Sequence, residues 1–286
     1  MKLDITKTHF NAIQKALRED SSFVNSNDTW KEICAAYDIG DVRSKKIFLS
    51  PTEKQLLREH VKSDCGLCPL HDNTNASRFD ICKKTHNEKL SSKSVFGMFN
   101  SVASVTGVPL KSGTALTPPG TFLNAVLKDI DIASINKVII VENGEMISRV
   151  HEIKIRNLSE TLFVYKGHKK DATHLNNWLN TLPEHISKVG YMDFDLAGID
   201  MAKSHGYESI IVPADYEALQ FLDKNKEVTY LKQADELNVE RWKLMISAEC
   251  SAELIEAADF IINNHLAYTQ ESLTAHGIFM NQIPVF

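Results

Sequence analysis

Along residues 1–100 the apolar positions recur at helical spacing. Phe10, Ile13 and Leu17 form one stripe, and Trp30, Ile33, Cys34 and Tyr37 form another. Ser50-Pro51-Thr52-Glu53 reads as a helix start. Ser50 can accept from a first-turn amide, Pro51 suits the first helical position, and Glu53 can reach back to close a capping box. The polar stretch DIGDVRSKK (38–46) predicts an intervening turn. Short helices around a turn fit a helix-turn-helix or winged-helix module, and equally a small helical bundle. GVPLKSGTALTPPG (107–120) is rich in Gly, Pro, Ser and Thr and predicts a loop or linker.

Beyond it the rhythm changes. KVIIVEN (137–143), TLFVYKG (161–167), VGYMDFD (189–195) and SIIVP (209–213) are short apolar runs ending in polar or turn residues, which predicts strands. Helical stretches separate them: one carries Leu175, Trp178, Leu179 and Leu182, another runs from Ala197 to His205 and is closed by Gly206. Strand alternating with helix predicts an α/β fold on a parallel sheet, with its site at the carboxyl ends of the strands. From about 215 to 286 the pattern is mostly helical, with Leu254, Ala258 and Ile261 on one face. The expected organisation is a mainly helical, winged-helix-like region over 1–130, a catalytic α/β domain over 131–215, and a helical extension over 216–286.

Three acids stand out against this background. Glu142 ends one predicted strand, and Asp193 and Asp195 end another. In an open parallel sheet those ends share one edge, and two residues spaced by two along an extended chain point the same way. Three hard oxygen donors with few nitrogens or sulfurs nearby suit Mg²⁺ or Mn²⁺, which can hold a phosphate and activate water. The competing reading is that both aspartates merely end a strand and cap the following helix. Lys166 and His168, in YKGHKK, follow a strand end on the same edge and could meet a phosphate, or could simply be solvated. Asp200, inside the helix after the site, is either a supporting contact or a surface residue.

VENGEM, LFVYKGHKKDATHLNNWL and YMDFDLAGIDMA, taken in that order, resemble the Toprim domain. The resemblance is to the nuclease subunit of Wadjet plasmid-defence systems and to the related A subunit of topoisomerase VI. It covers about residues 135–215, with a looser echo in LAYTQESL (267–274). Met192 stands where that group has Gly before the first Asp. The resemblance implies a Toprim, Rossmann-like sheet. It makes Glu142, Asp193 and Asp195 the ligands of Mg²⁺ or Mn²⁺, with Glu142 also available for acid–base work. It further implies a metal-dependent endonuclease that cuts DNA in defence against plasmids or phage, as a homodimer with a partner ATPase or condensin-like complex. RNA stays open as a target. A topoisomerase VI A-like enzyme would instead need a tyrosine nucleophile. Tyr37 is the only tyrosine in the first 150 residues, and its place on an apolar stripe reads as core packing. A non-catalytic DNA- or partner-binding regulator is the third class.

CGLCPLHDNTNASRFDICKKTH adds a second candidate metal centre. Cys65-x2-Cys68 resembles one zinc knuckle and Cys82-x3-His86 the other, with His71 as an alternative fourth ligand. Four protein ligands would make that Zn²⁺ structural. Incidental thiols in a polar loop are the alternative. Cys34 and Cys250 read as buried small hydrophobes.

Composition changes this picture little. The chain has 286 residues, 43% apolar and 24% charged, with a net charge of -5. Residues 1–100 carry 16 Lys+Arg against 13 Asp+Glu, and the remainder 16 against 24, a slightly basic front and an acidic back. No apolar run reaches the roughly 20 residues that span a bilayer, and the amphipathic, acid-bearing start differs from a secretory signal. A cytoplasmic protein without membrane contact is expected.

Overall fold

The computed structural model describes residues 3–92, 99–167, 170–222 and 227–286. The chain divides into two compact units, Met1–Gly97 and Met98–Phe286.

The first unit contains α1 (Lys7–Arg18), β1 (Phe23–Asn25), α2 (Asp28–Tyr37), β2 (Asp41–Arg43), β3 (Lys46–Phe48), α3 (Pro51–Cys65) and α4 (Arg78–Cys82). Both expected apolar stripes face its core, where Phe10, Ile13, Trp30 and Ile33 are buried with Leu57 and Val61 of α3. The capping box of α3 forms as the sequence suggests, with Ser50 accepting from the Glu53 amide and Glu53 accepting from the Ser50 amide. Residues 38–46 differ from expectation. They open a β-hairpin, β2 to β3, and β1 completes an antiparallel sheet in the order β1-β3-β2. Strands of three residues are too short to show a period of two. Ser44, at φ 60°, supplies the left-handed turn residue that a hairpin needs.

The second unit contains β4 (Phe99–Ala103), β5 (Val108–Leu110), β6 (Gly113–Ala115), β7 (Leu123–Val126), β8 (Lys137–Val141), β9 (Thr161–Tyr165), α5 (Lys170–Leu179), β10 (Ser187–Tyr191), α6 (Leu196–Ser204) and β11 (Ser209–Pro213). It continues with α7 (Glu227–Leu237), α8 (Val239–Glu249), α9 (Ala252–Asn264), α10 (Gln270–Ala275) and β12 (Met280–Pro284). Seven strands form one mixed sheet in the order β12-β11-β10-β8-β9-β4-β7. β11, β10, β8 and β9 are parallel, as the alternation of strands and helices predicts, while β12 and β4 are antiparallel to their neighbours β11 and β9.

The domain limits differ from those read along the chain. The division falls at 97/98 instead of 130/131, and the expected linker contributes the β5–β6 hairpin within the second unit. The last seventy residues are not a separate helical extension either, because β12 closes one edge of the sheet. Its sequence, MNQIP, buries only Met280 and Ile283 and carries a proline, a composition that edge strands tolerate but that gives no alternating signal.

β8 lies at the centre of the parallel strands, and Val138 to Val141 are all fully buried. A strand covered on both faces reads as a continuous apolar run. From β8 the chain passes to β9 on one side and then to β10 on the other, so the strand order reverses between β8 and β10. Such a reversal opens a crevice at the carboxyl ends of the two strands. Among the described residues no helix is long and apolar enough to cross a membrane.

Replacing Ile139, fully buried in β8, by Ala should lower the unfolding free energy by roughly 2–4 kcal/mol through lost burial and the cavity left behind. Urea titration checks this, with the midpoint moving and the slope unchanged.

Candidate active site

Glu142 and Asp193 follow the two strands that flank the crevice. Val141 pairs with Tyr191 at their ends, and the Glu142 amide donates to the Tyr191 carbonyl at 3.0 Å. Neighbouring β9 ends at Tyr165, and the Lys166 amide donates to the Val141 carbonyl at 2.9 Å. Glu142, Asp193 and Lys166 therefore meet on one rim. Glu142 Oε2 accepts from the Asp193 amide at 3.2 Å, and Lys166 Nζ lies 2.6 Å from Glu142 Oε1. A pocket of about 260 Å³ is lined by Glu142, Asp193 and Asp195, with Gly198, Gln233 and Tyr268 among its other walls.

The two aspartates differ in what holds them. Asp195 is 7% exposed and is the N-cap of α6, accepting from the Gly198 amide at 2.8 Å through Oδ1 and from Gln233 Nε2 at 2.7 Å through Oδ2. The capping alternative thus holds for Asp195. Asp193 caps nothing on α6. Its Oδ1 accepts the Gln270 amide, 77 residues further along the chain, at 2.9 Å. The D-x-D-x-x-G spacing has a steric reason too. A Cβ on Gly198 would lie 2.1 Å from the Asp193 carbonyl oxygen, so only glycine lets the first turn of α6 close against this loop.

Gln270 is the residue that sequence reasoning left out. It is wholly buried at the start of α10. Its side-chain amide donates to the Tyr191 carbonyl, its Oε1 accepts from the Asn143 amide at 2.9 Å, and its own amide holds Asp193. One residue, through its side chain and its own backbone amide, thereby ties together the ends of β8 and β10 and the aspartate loop. Glu271 adds a fourth carboxylate close by, accepting from Asn143 Nδ2. Its other oxygen and Gln233 Oε1 are buried atoms with no hydrogen-bond partner. Neither Gln270 nor Gln233 belongs to a local pattern of spacing or charge that would mark it in the sequence.

Electrostatics follow from this crowding. The Asp193 carboxyl is pushed up to about 7, chiefly by burial, with the Gln270 amide working the other way and the charges of Glu142, Asp195 and Glu271 adding to the rise. Burial also raises Asp195, against its bonds from Gln233 and Gly198 and with the charge of Glu142 adding to the rise. Lys166 neutralises only one carboxylate, and two buried oxygens lack donors. The donor set is all oxygen, which fits a hard divalent cation. In the present side-chain arrangement, however, no three His, Cys, Asp or Glu side chains among the described residues are grouped as metal ligands. The carboxylates are instead turned to protein donors.

His168 lies outside the described residues. Asp200 is neither free nor part of the pocket; its Oδ1 accepts from the indole nitrogen of buried Trp242 at 2.9 Å, pinning α6 to α8. Tyr37 donates to Asp64 at 2.8 Å and stacks on His60, and burial together with that bond raises its phenol well above the ordinary value. That is opposite to what an attacking phenolate needs.

The cysteine turns lie side by side, since a Cβ on Gly66 would sit 2.6 Å from the Lys84 carbonyl oxygen. Cys65 and Cys68 are buried, but Cys82 and His86 are exposed, and these side chains also are not grouped as metal ligands. Burial pushes the Cys68 thiol up, yet the Leu70 and His71 amides and Arg58 bring it below its ordinary value. Cys34 and Cys250 are partly buried against their respective cores.

Fold and site together define a mixed α/β protein with a carboxylate-lined pocket at the point where its sheet reverses direction. A family model described as Domain of unknown function (DUF7281) matches residues 97–282, and the chain belongs to that family. The matched stretch falls on the second unit. No curated protein matches the chain.

The Asp193 shift has a definite sign. Well below pH 4 the group is protonated in folded and unfolded chains alike. As pH rises towards 7 the unfolded chain loses the proton while the folded one keeps it, so stability falls and the full cost is present above pH 7. In chelator, Asp193→Asn should therefore stabilise the protein, by on the order of 2–4 kcal/mol at pH 8 and by clearly less at pH 5. Thermal unfolding at the two pH values reads this out; equal stabilisation at both would place the titration on another group.

Proposed function

We propose that the chain is a divalent-metal-dependent nuclease of Toprim type, cutting nucleic-acid phosphodiester bonds, with DNA as its first target. The observation that carries this reading is the shared pocket of Glu142, Asp193 and Asp195, whose negative charge the protein only partly offsets. Glu142, Asp193 and Asp195 would hold Mg²⁺ or Mn²⁺. When bound, such an ion supplies Lewis-acid stabilisation of a phosphoryl oxygen and a nucleophilic water at neutral pH.

The chain's own groups do the rest. Gln270 and Gly198 fix the aspartate loop, so the acceptor oxygens are positioned before any ligand arrives. Lys166, 2.6 Å from Glu142, places a cation on the rim where it can face a phosphate oxygen. Glu142, released from that pair, can accept or return a proton. The first unit, with its helices and short antiparallel sheet, would act as a winged-helix-like DNA grip. Defence against plasmids or phage, homodimerisation and a partner ATPase belong to the same proposal and rest on the resemblance of residues 135–215 and 267–274 to the Wadjet nuclease subunit. The transesterase reading has no comparable support, because Tyr37 is bonded to Asp64 and hard to ionise.

Incubation with supercoiled plasmid and Mn²⁺ should give nicked and linear products, with the rate falling at least about 100-fold in Glu142→Ala. Equal nicking by both proteins would overturn the assignment. A labelled RNA incubated in parallel decides between the two nucleic acids.

A structural Zn²⁺ on Cys65, Cys68, Cys82 and either His86 or His71 is part of the proposal, supported by the apposition of the two turns. Elemental analysis of purified protein should give about one zinc per chain, lost in Cys65→Ser/Cys68→Ser. A zinc-free protein that unfolds at the same temperature with and without chelator would remove this site.

A further inference from the structure

A second feature of the sheet unit is its opposite in charge. A groove of about 560 Å³ is lined by Lys137, Lys154, Arg156, Phe279, Asn281 and Gln282 among others. It starts where Ala214 follows β11, on the same edge as the carboxylates, and reaches Lys137 at the first residue of β8. Among the described residues none of its three cations forms an ion pair with an acid. Residues 101–286 carry 24 Asp+Glu against 16 Lys+Arg, so three unpaired cations around one groove run against the local balance.

The groove is also shaped. Lys154 Nζ lies 5.1 Å from the centroid of the Phe279 ring, and its stem runs over Gly277, where a Cβ would come within 2.8 Å of that nitrogen. The backbone fixes both residues, since the Met280 amide donates to the Lys154 carbonyl at 2.8 Å. Phe279 is nevertheless 67% exposed, a large aromatic face held beside a cation and left to solvent. Burial keeps the Lys137 amine below its ordinary value, which a neighbouring phosphate would offset.

We infer that this groove binds a single-stranded nucleic-acid segment, with Lys137, Lys154 and Arg156 on its phosphates and Phe279 stacked on a base. Cations spaced along a groove follow a backbone, and an exposed ring next to them takes the face of an unstacked base. Side-chain amides of Asn281 and Gln282 can reach base edges or sugar hydroxyls. A duplex keeps its base faces covered, so it would leave Phe279 without a partner. The inference rests on the nuclease reading for its relevance to cleavage: it would lead a strand towards the carboxylate rim. Binding itself is independent of the metal.

The test is fluorescence anisotropy of a labelled oligothymidine with the full chain, in chelator and across a salt series. With three phosphate contacts, the logarithm of affinity should fall with the logarithm of salt at a slope of about -2 from this groove. Lys154→Ala/Arg156→Ala should make that slope shallower by about 1.4. Phe279→Ala, and also the better-packing Phe279→Leu, should weaken binding by about 5- to 150-fold without changing the slope. Unchanged affinity and slope in all these variants overturn the proposal. So does equal competition by poly-glutamate with no effect of Phe279→Leu, which would assign the groove to an acidic protein partner, or tighter duplex binding indifferent to Phe279. If the variants behave as stated but the wild type cuts nothing in Mn²⁺, the nuclease reading fails and the groove stands.

Discussion

Carboxylates crowded at the end of a buried parallel sheet repel each other, and the structure is organised around containing that repulsion. Burial removes the water that would screen Asp193 and Asp195, and the charges of Glu142 and Glu271 add to the strain on Asp193. Lys166 relieves Glu142 alone. Neutral donors do the remaining work: the amides of Gly198 and Gln270 and the side chain of Gln233 each turn a dipole towards an aspartate oxygen. Keeping desolvated acids together against their mutual repulsion costs stability, and perturbed carboxyls gathered in a pocket are a recurrent mark of functional sites.

Containment explains the role of the last third of the second unit. Helix α10 delivers Gln270 into the core beneath the rim, where it bonds Tyr191, Asn143 and Asp193 at once. Tyr268, just before it, exchanges backbone hydrogen bonds with Phe194 inside the aspartate loop and places its hydroxyl on the carbonyls of Leu219 and Leu222. β12 then seals the sheet edge beside β11. The rim is thus built from residues about 130 positions apart in the chain, and its precision depends on Gln270, a side chain with no acid–base chemistry of its own.

The same unit carries two opposed fields. Negative charge is concentrated at the β8–β10 crevice, and positive charge lines the groove between the 154–156 segment and β12. Opposed potentials on one unit orient a polyanion: repelled from one place and attracted at the other, it lies along one path. Under the proposed function the groove cations would hold the phosphate backbone, and only a divalent ion on the carboxylates would turn the pocket from repelling a phosphate to accepting one.

Much of this was legible in the sequence, because local physics writes it there. Apolar runs such as VIIV mark buried strands, the Ser50–Glu53 box marks a helix start, and strand–helix alternation marks a parallel sheet whose carboxyl edge must gather Glu142, Lys166, Asp193 and Asp195. Each signal lies within a few residues, or follows from the handedness and order of successive elements. What only the tertiary structure decided depends on contacts between distant residues of unremarkable type. These are Gln270 and Gln233 holding the aspartates, Trp242 claiming Asp200, β12 completing the sheet, and Lys137, Lys154, Arg156 and Phe279 meeting in one groove. A glutamine or lysine looks the same in a sequence whether it is solvated or buried against a partner, since hydrogen bonds and charge balance are set by three-dimensional neighbours that no local pattern records.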